Sequence, residues 1–135
     1  MIPSPWGIWL IMMKKLTGAT PALGPYSAGV STGSLVFVSG QIPTDAQGNL
    51  PEGIEAQAEQ SIRNVQAVLE NAGSDLRHVV KTTVFLRDMD DFAAVNEVYA
   101  EYFDGEVKPA RSCVQAAKLP KDMPLEIEAI ALRVR

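Results

Sequence analysis

Two segments place ionisable groups among residues that otherwise read as core: Pro109-Ala110-Arg111-Ser112-Cys113-Val114 and Leu125-Glu126-Ile127-Glu128-Ala129-Ile130-Ala131-Leu132. Both read as strands, and side chains along a strand alternate between two faces. On that period Arg111, Cys113 and Gln115 share one face of the first strand. In the second, Glu126 and Glu128 share a face with Ile130 and Leu132, while Leu125, Ile127, Ala129 and Ala131 point the other way. A face that begins with carboxylates and ends with aliphatics is not plain solvent surface. A guanidinium presents paired donors that match a carboxylate. Arg111 beside a carboxylate and an apolar floor could form a small-molecule anion site, or an ordinary ion pair with Glu126 or Glu128.

Other residues invite a chemical reading. Cys113 shares a face with Arg111, but a nucleophilic thiol needs a lowered pKa and a nearby base. The single histidine, His78, begins a different strand. A free cysteine packed as a small apolar residue is the commoner case. Tyr26 follows Gly24-Pro25, so its ring could sit at a cleft edge or act only as a packing lid. Ser39 precedes Gly40 at a strand end, where its hydroxyl can donate to a ligand or satisfy local backbone.

Composition narrows the classes. The 135 residues make one domain, 47% hydrophobic and 21% charged, as in a soluble globular chain. A net charge of −4 and a pI near 4.9 argue against nucleic-acid binding through a broad basic surface. One cysteine excludes an intramolecular disulfide, and one histidine with one cysteine cannot build the usual zinc ligand set within a chain. Residues 1–13 carry no charge and include Trp6 and Trp9, but Lys14 and Lys15 follow the apolar run rather than precede it. A secretory signal has the opposite arrangement, and the run is too short to span a bilayer. Residues 1–13 are therefore expected to be an extension outside the fold, with one domain over 14–135.

The elements that must position these groups follow from pattern. Ala28–Ser31 and Leu35–Gln41 read as a hairpin about Thr32-Gly33-Ser34, followed by a loop over 43–53. Ile54, Ala58, Ile62, Val65 and Leu69 form the stripe of a helix over 54–72, with Gly73 in a C-cap position. Val79–Leu86 reads as a strand rich in Val and Thr. A second helix, capped by Asp88 or Asp90, runs to Phe103 and buries Phe92, Val95, Tyr99 and Phe103. The order β-β-α-β-α-β-β implies an α/β (α+β) mixed sheet whose two helices, on βαβ crossovers, cover one face. The other face, carrying Thr82 or Thr83, Ser39 and Arg111, is left for another copy of the chain.

Gly24-Pro25-Tyr26-Ser27, Val38-Ser39-Gly40-Gln41-Ile42-Pro43, Val80–Leu86, Asp91-Phe92 through Val95-Asn96, Pro109–Val114 and Leu125–Ala129 together resemble the Rid family. These are reactive intermediate deaminases of the RidA/YjgF type, and the likeness covers essentially 14–135. The resemblance implies a chorismate-mutase-like fold, a homotrimer with sites between subunits, and a cytoplasmic location. It implies hydrolysis of 2-iminobutanoate and 2-iminopropanoate to 2-oxo acids and ammonia, without cofactor or metal. Such imines come from pyridoxal-phosphate dehydratases. The alternative is a non-catalytic member that binds 2-oxo acids or has a regulatory or chaperone-like role.

By that resemblance Arg111 clamps the substrate carboxylate and Glu126 handles the attacking water, with Glu128 outside the chemistry. Tyr26 closes over the substrate, Ser39 and Asn96 contact it, and Cys113 contributes pocket wall without an obligatory thiol role. No role falls to His78. The chain departs from the pattern in its extension and in the short loop over 104–108.

Overall fold

The computed structural model describes residues 13–134. Met13 is exposed there, and the rest of the expected extension lies outside the described residues. The chain runs β1 (Lys14–Leu16), β2 (Gly29–Thr32), β3 (Leu35–Gln41), α1 (Ile54–Asn71), β4 (Val79–Leu86), α2 (Phe92–Tyr102), β5 (Ala110–Gln115) and β6 (Leu125–Leu132). Single 3-10 turns stand at Leu76–His78, Met89–Asp91 and Pro120–Asp122. The strands form one mixed sheet in the order β1-β2-β3-β6-β4-β5. β1 is one strand more than the sequence pattern suggests, and three residues are too few to show a period.

Only β4 and β5 run parallel; the other neighbours are antiparallel. α2 is therefore the crossover of a direct βαβ unit. The crossover through α1 is different, because β6 lies between β3 and β4 and pairs with both. Since β6 is antiparallel to both, β3 and β4 run parallel, and the crossover through α1 is a βαβ unit split by β6. Sequence order reveals a crossover but not which later strand fills the gap it leaves.

The two faces of the sheet separate by alternation, interrupted between Val38 and Gln41 of β3 and between Val79 and Lys81 of β4. Val36 and Val38 of β3, Thr82, Val84 and Leu86 of β4, and Leu125, Ile127, Ala129 and Ala131 of β6 are buried beneath the helices. Each large aliphatic among them is worth about 1.5–3 kcal/mol on burial. From α1 they meet Ala58, Ile62, Val65, Val68 and Leu69, and from α2 Val95, Val98 and Tyr99, with Phe103 just beyond its end. Phe92 departs from the expected buried stripe. It stands in the first turn of α2 and is 37% exposed. On the opposite face Phe37, Val114 and Leu132 are each more than 40% exposed. That open face also carries Thr83 and Ser39, as expected, but Arg111 does not belong to it.

Local sequence fixes the ends of these elements. α1 stops one residue before the expected end, with Ala72 as its cap. Gly73 adopts φ 73°, and the Gly73 and Ser74 amides donate to the carbonyls of Glu70 and Leu69 in a Schellman closure. Before α2, the Asp88 side chain accepts from the Asp90 amide at 2.9 Å, so it caps the 3-10 turn leading into the helix rather than the helix itself. A two-residue loop, Gly33-Ser34, joins β2 to β3.

Candidate active site

The six residues singled out from sequence fall into separate groups. Arg111, on the edge strand β5, pairs in register with Thr82 and points to the helix side. Its Nη1 donates to Asn96 Oδ1 at 2.7 Å. Its guanidinium lies over the rings of Tyr99 and Phe92, 4.8 and 5.5 Å from their centroids. A cation held over aromatic faces keeps its plane fixed and its outer donors available. Tyr99 is itself anchored, because its hydroxyl shares a 2.7 Å hydrogen bond with Thr82 Oγ1. Phe92, partly exposed in the first turn of α2, offers one ring face to the arginine.

Cys113 follows on the same face, half-buried against the core. Burial pushes its thiol pKa up, against a smaller downward pull from Arg111. That is the environment of a packed thiol, not of an activated nucleophile. His78 sits in the turn before β4, its Nδ1 2.7 Å from Asp75 Oδ1.

Glu126 lies on the other face. It pairs with Phe85 in the register of β4 and β6 and alternates with the buried Leu125 and Ile127. Arg111 and the carboxylates of β6 thus do not share a floor within one chain, and no ion pair joins them among the described residues. Reading each strand's period correctly leaves open how two strands are phased across an intervening third, and β4 is that strand.

A cavity of about 280 Å³ opens beside Glu126. Tyr26, Gly40, Gln41, Thr44, Asp45 and Lys121 are among its lining residues. Arg111, Asn96, Cys113 and Ser39 are not. The β3–β6 pairing carries an irregularity between Val38 and Gln41, and Gly40 lies in it. A Cβ on Gly40 would overlap the Glu126 carboxylate, so glycine is what lets the two strands close around that side chain. Glu126 has no hydrogen-bond partner among the described residues. Burial raises its pKa, and the nearby charge of Glu128 raises it further. Glu128 is exposed and outside the cavity.

Tyr26 forms the rim. Its amide donates to the Gly24 carbonyl at 2.8 Å across Pro25, its hydroxyl accepts from the Leu23 amide at 3.1 Å, and its ring is half exposed. Ser39 is half-buried, and its hydroxyl donates to the Ser27 carbonyl at 2.6 Å. Of the two uses expected for that proton, the backbone has it. What remains of Ser39 for a ligand is acceptor capacity.

Two features of the cavity were not singled out from sequence. Lys121 and Asp122 both adopt φ 54°, unusual for residues with side chains. Arg87 holds that turn, its Nη1 donating to the Asp122 carbonyl at 2.8 Å. Nothing in Pro120-Lys121-Asp122 announces this backbone. Asn64 and Ser61 of α1 are buried and bonded to the end of β3 and the loop that follows it along the cavity. Their signal was present: two polar residues inside an apolar stripe.

The family model described as Endoribonuclease L-PSP matches residues 17–133. A 2-iminobutanoate/2-iminopropanoate deaminase of Salmonella typhimurium is 52% identical over 118 residues, covering 85% of this chain and 92% of that protein. Its counterpart in Escherichia coli K12 is 49% identical over the same length and shares. This chain belongs to the Rid family. A crystal structure of E. coli TdcF with bound serine matches this Rid chain with a TM-score of 0.85 at 48% identity, over 90% of this chain and 99% of that one. The mixed sheet with two helices expected from the sequence pattern is the one observed. Among the described residues, no helix of this Rid protein is long and apolar enough to cross a membrane.

Proposed function

We propose that this protein hydrolyses reactive 2-imino acids, 2-iminobutanoate and 2-iminopropanoate, to 2-oxo acids and ammonia. The observation that carries this reading is the Glu126 carboxyl. It is half-buried, unpartnered within the described chain, raised in pKa, and faces a cavity of small-molecule size. The names of relatives about half identical to this chain supply the substrate class.

In the proposed step Arg111 binds the substrate carboxylate through donors left free by Asn96 and the aromatic platform. Glu126 accepts a proton from water as the oxygen attacks the iminium carbon. That proton passes to nitrogen in the tetrahedral adduct, and the C–N bond breaks to release ammonia while the regenerated Glu126 carboxylate takes the hydroxyl proton and the C=O bond forms. An iminium is already electrophilic, so positioning supplies much of the rate and the step calls on no cofactor. Cys113 forms wall, and Tyr26 closes the rim over the substrate.

Because Arg111 and Glu126 lie on opposite faces of one sheet, a complete site needs a second copy. The proposed assembly is the chorismate-mutase-like homotrimer, in which the apolar open faces meet and each cleft takes residues from two subunits. The exposed Phe37, Val114 and Leu132 support it. The proposed setting is cytoplasmic, downstream of pyridoxal-phosphate dehydratases that release such imines from threonine and serine.

The test adds the protein to a threonine dehydratase reaction containing semicarbazide, which traps imine that has not been hydrolysed. Addition is expected to raise 2-oxobutanoate and lower trapped imine. Arg111→Ala is expected to abolish the effect while leaving the oligomer intact. Saturable binding of 2-oxobutanoate with no acceleration would select the non-catalytic alternative.

A further inference from the structure

We propose that Asn64 and Ser61 of α1 are positioning residues for Glu126, acting through the segment from Gln41 to Thr44 that walls the cavity. The inference rests on the role proposed above for Glu126. Asn64 is 1% exposed and Ser61 fully buried, in a helix stripe where aliphatic residues would pack without any need for partners. Asn64 Nδ2 donates to the carbonyls of Ile42 and Thr44 at 2.9 and 2.8 Å, while its Oδ1 accepts from Gln60 Nε2 at 2.9 Å. Ser61 Oγ donates to the Gln41 carbonyl at 3.0 Å.

These carbonyls need donors for a physical reason. β3 ends at Gln41, and the chain beyond it has no strand partner, yet Thr44 is buried. A buried carbonyl without a donor is costly, and here one helix supplies donors to three of them. The connection continues across the wall. Gln41 Nε2 donates to the Ser39 carbonyl at 3.0 Å, and Ser39 Oγ to Ser27, next to the rim residue Tyr26. Gly40, between them, backs directly onto the Glu126 carboxyl. The position of that wall therefore decides where the carboxyl rests and how much water reaches it.

Loosening the wall hydrates Glu126, and since burial is the main cause of its raised pKa, that pKa falls. Glu128 on the same strand and Asp45 and Lys121 from the cavity-lining loops are the other charged groups around it, and all stay in place in the variants that follow.

The experiment compares Ser61→Ala and Asn64→Ser with Ile62→Val, which trims the same helix but removes no hydrogen bond to the wall. The Glu126 carboxyl is followed through a pH titration by NMR in protein carrying 13C-labelled glutamate, and imine hydrolysis is measured in parallel. The Glu126 midpoint is expected to move down in both wall variants and to stay put in Ile62→Val. kcat is expected to fall about threefold in Ser61→Ala and about tenfold in Asn64→Ser, with KM within about twofold of wild type. Should Asn64→Ser not fold, Ser61→Ala, lacking one donor, decides the question. Unchanged Glu126 titration in the wall variants, or an equal shift in Ile62→Val, overturns the proposal. A wild-type protein that does not accelerate hydrolysis overturns the functional reading instead, and the titration still decides the positioning.

Discussion

Replacing Gly40 by alanine puts a methyl group where the Glu126 side chain already lies. The added Cβ would stand 2.7 Å from Glu126 Cγ and 2.5 Å from Cδ. Unstrained carbon contacts are about 3.5–4.0 Å, so the side chain must retreat by about 1 Å. Gly40 does not use a left-handed φ, so backbone strain adds nothing to this effect. A displacement of about 1 Å in a reacting group can cost about 10²-fold in rate, which is about 2.7 kcal/mol of barrier. Overpacking costs about 1–3 kcal/mol, and a half-exposed carboxyl with room to swing places this case near the lower end. Gly40→Ala should therefore lower kcat about 100-fold in the dehydratase-coupled assay. Its Tm should drop only about 3–5 °C, and KM should change little because Arg111 is untouched. A variant that keeps wild-type kcat would refute the claim that Glu126 must sit where Gly40 permits.

Mixing inactive Arg111→Ala with inactive Glu126→Gln, then unfolding and refolding together, should restore about one quarter of the wild-type rate if each site draws on two copies. No recovery in reassembled hybrids counts against a shared cleft. Glu126→Gln should also raise the Tm at neutral pH. A carboxyl with a raised folded-state pKa contributes stability below its unfolded pKa and loses it as pH rises through the folded value, so the mutant's advantage should vanish on acidification. A pH-independent difference in Tm argues against the raised pKa. Cys113→Ala should keep most activity, and iodoacetamide should alkylate the wild-type thiol slowly at neutral pH because burial raises its pKa. Loss of activity in a folded Cys113→Ala protein would give the thiol a role the structure does not assign.

Much of the fold was legible because each element carries its own signal. The stripe of Ala58, Ile62, Val65 and Leu69 gave α1, and Gly73 gave its end. The alternation in Leu125–Leu132 gave both faces of β6. What was not legible is relative placement. Nothing local to Arg111 or Glu126 says that β4 lies between their strands, or that they face opposite ways. Phe92 shows a similar limit: its spacing fits the buried stripe of α2, yet it stands partly exposed beneath the Arg111 guanidinium. Ser39 had two possible uses for its proton, and only the position of the Ser27 carbonyl decided between them. The turn at Lys121 and Asp122 had no signal at all, since its backbone is imposed by its surroundings, Arg87 among them.

The insertion of β6 between β3 and β4 also bears on the order in which the molecule can be made. β6 is the last element in chain order, yet it is central to the sheet. During synthesis β3 and β4 must wait with unpaired edges, which are openings for wrong pairing, until Leu125–Leu132 emerges and joins them. Closing that seam brings together segments about ninety positions apart, a slow, non-local event. Glu126 rides on the same strand. A nascent chain short of it thus has neither a closed sheet nor its proposed base, so folding and competence for chemistry arrive in one step.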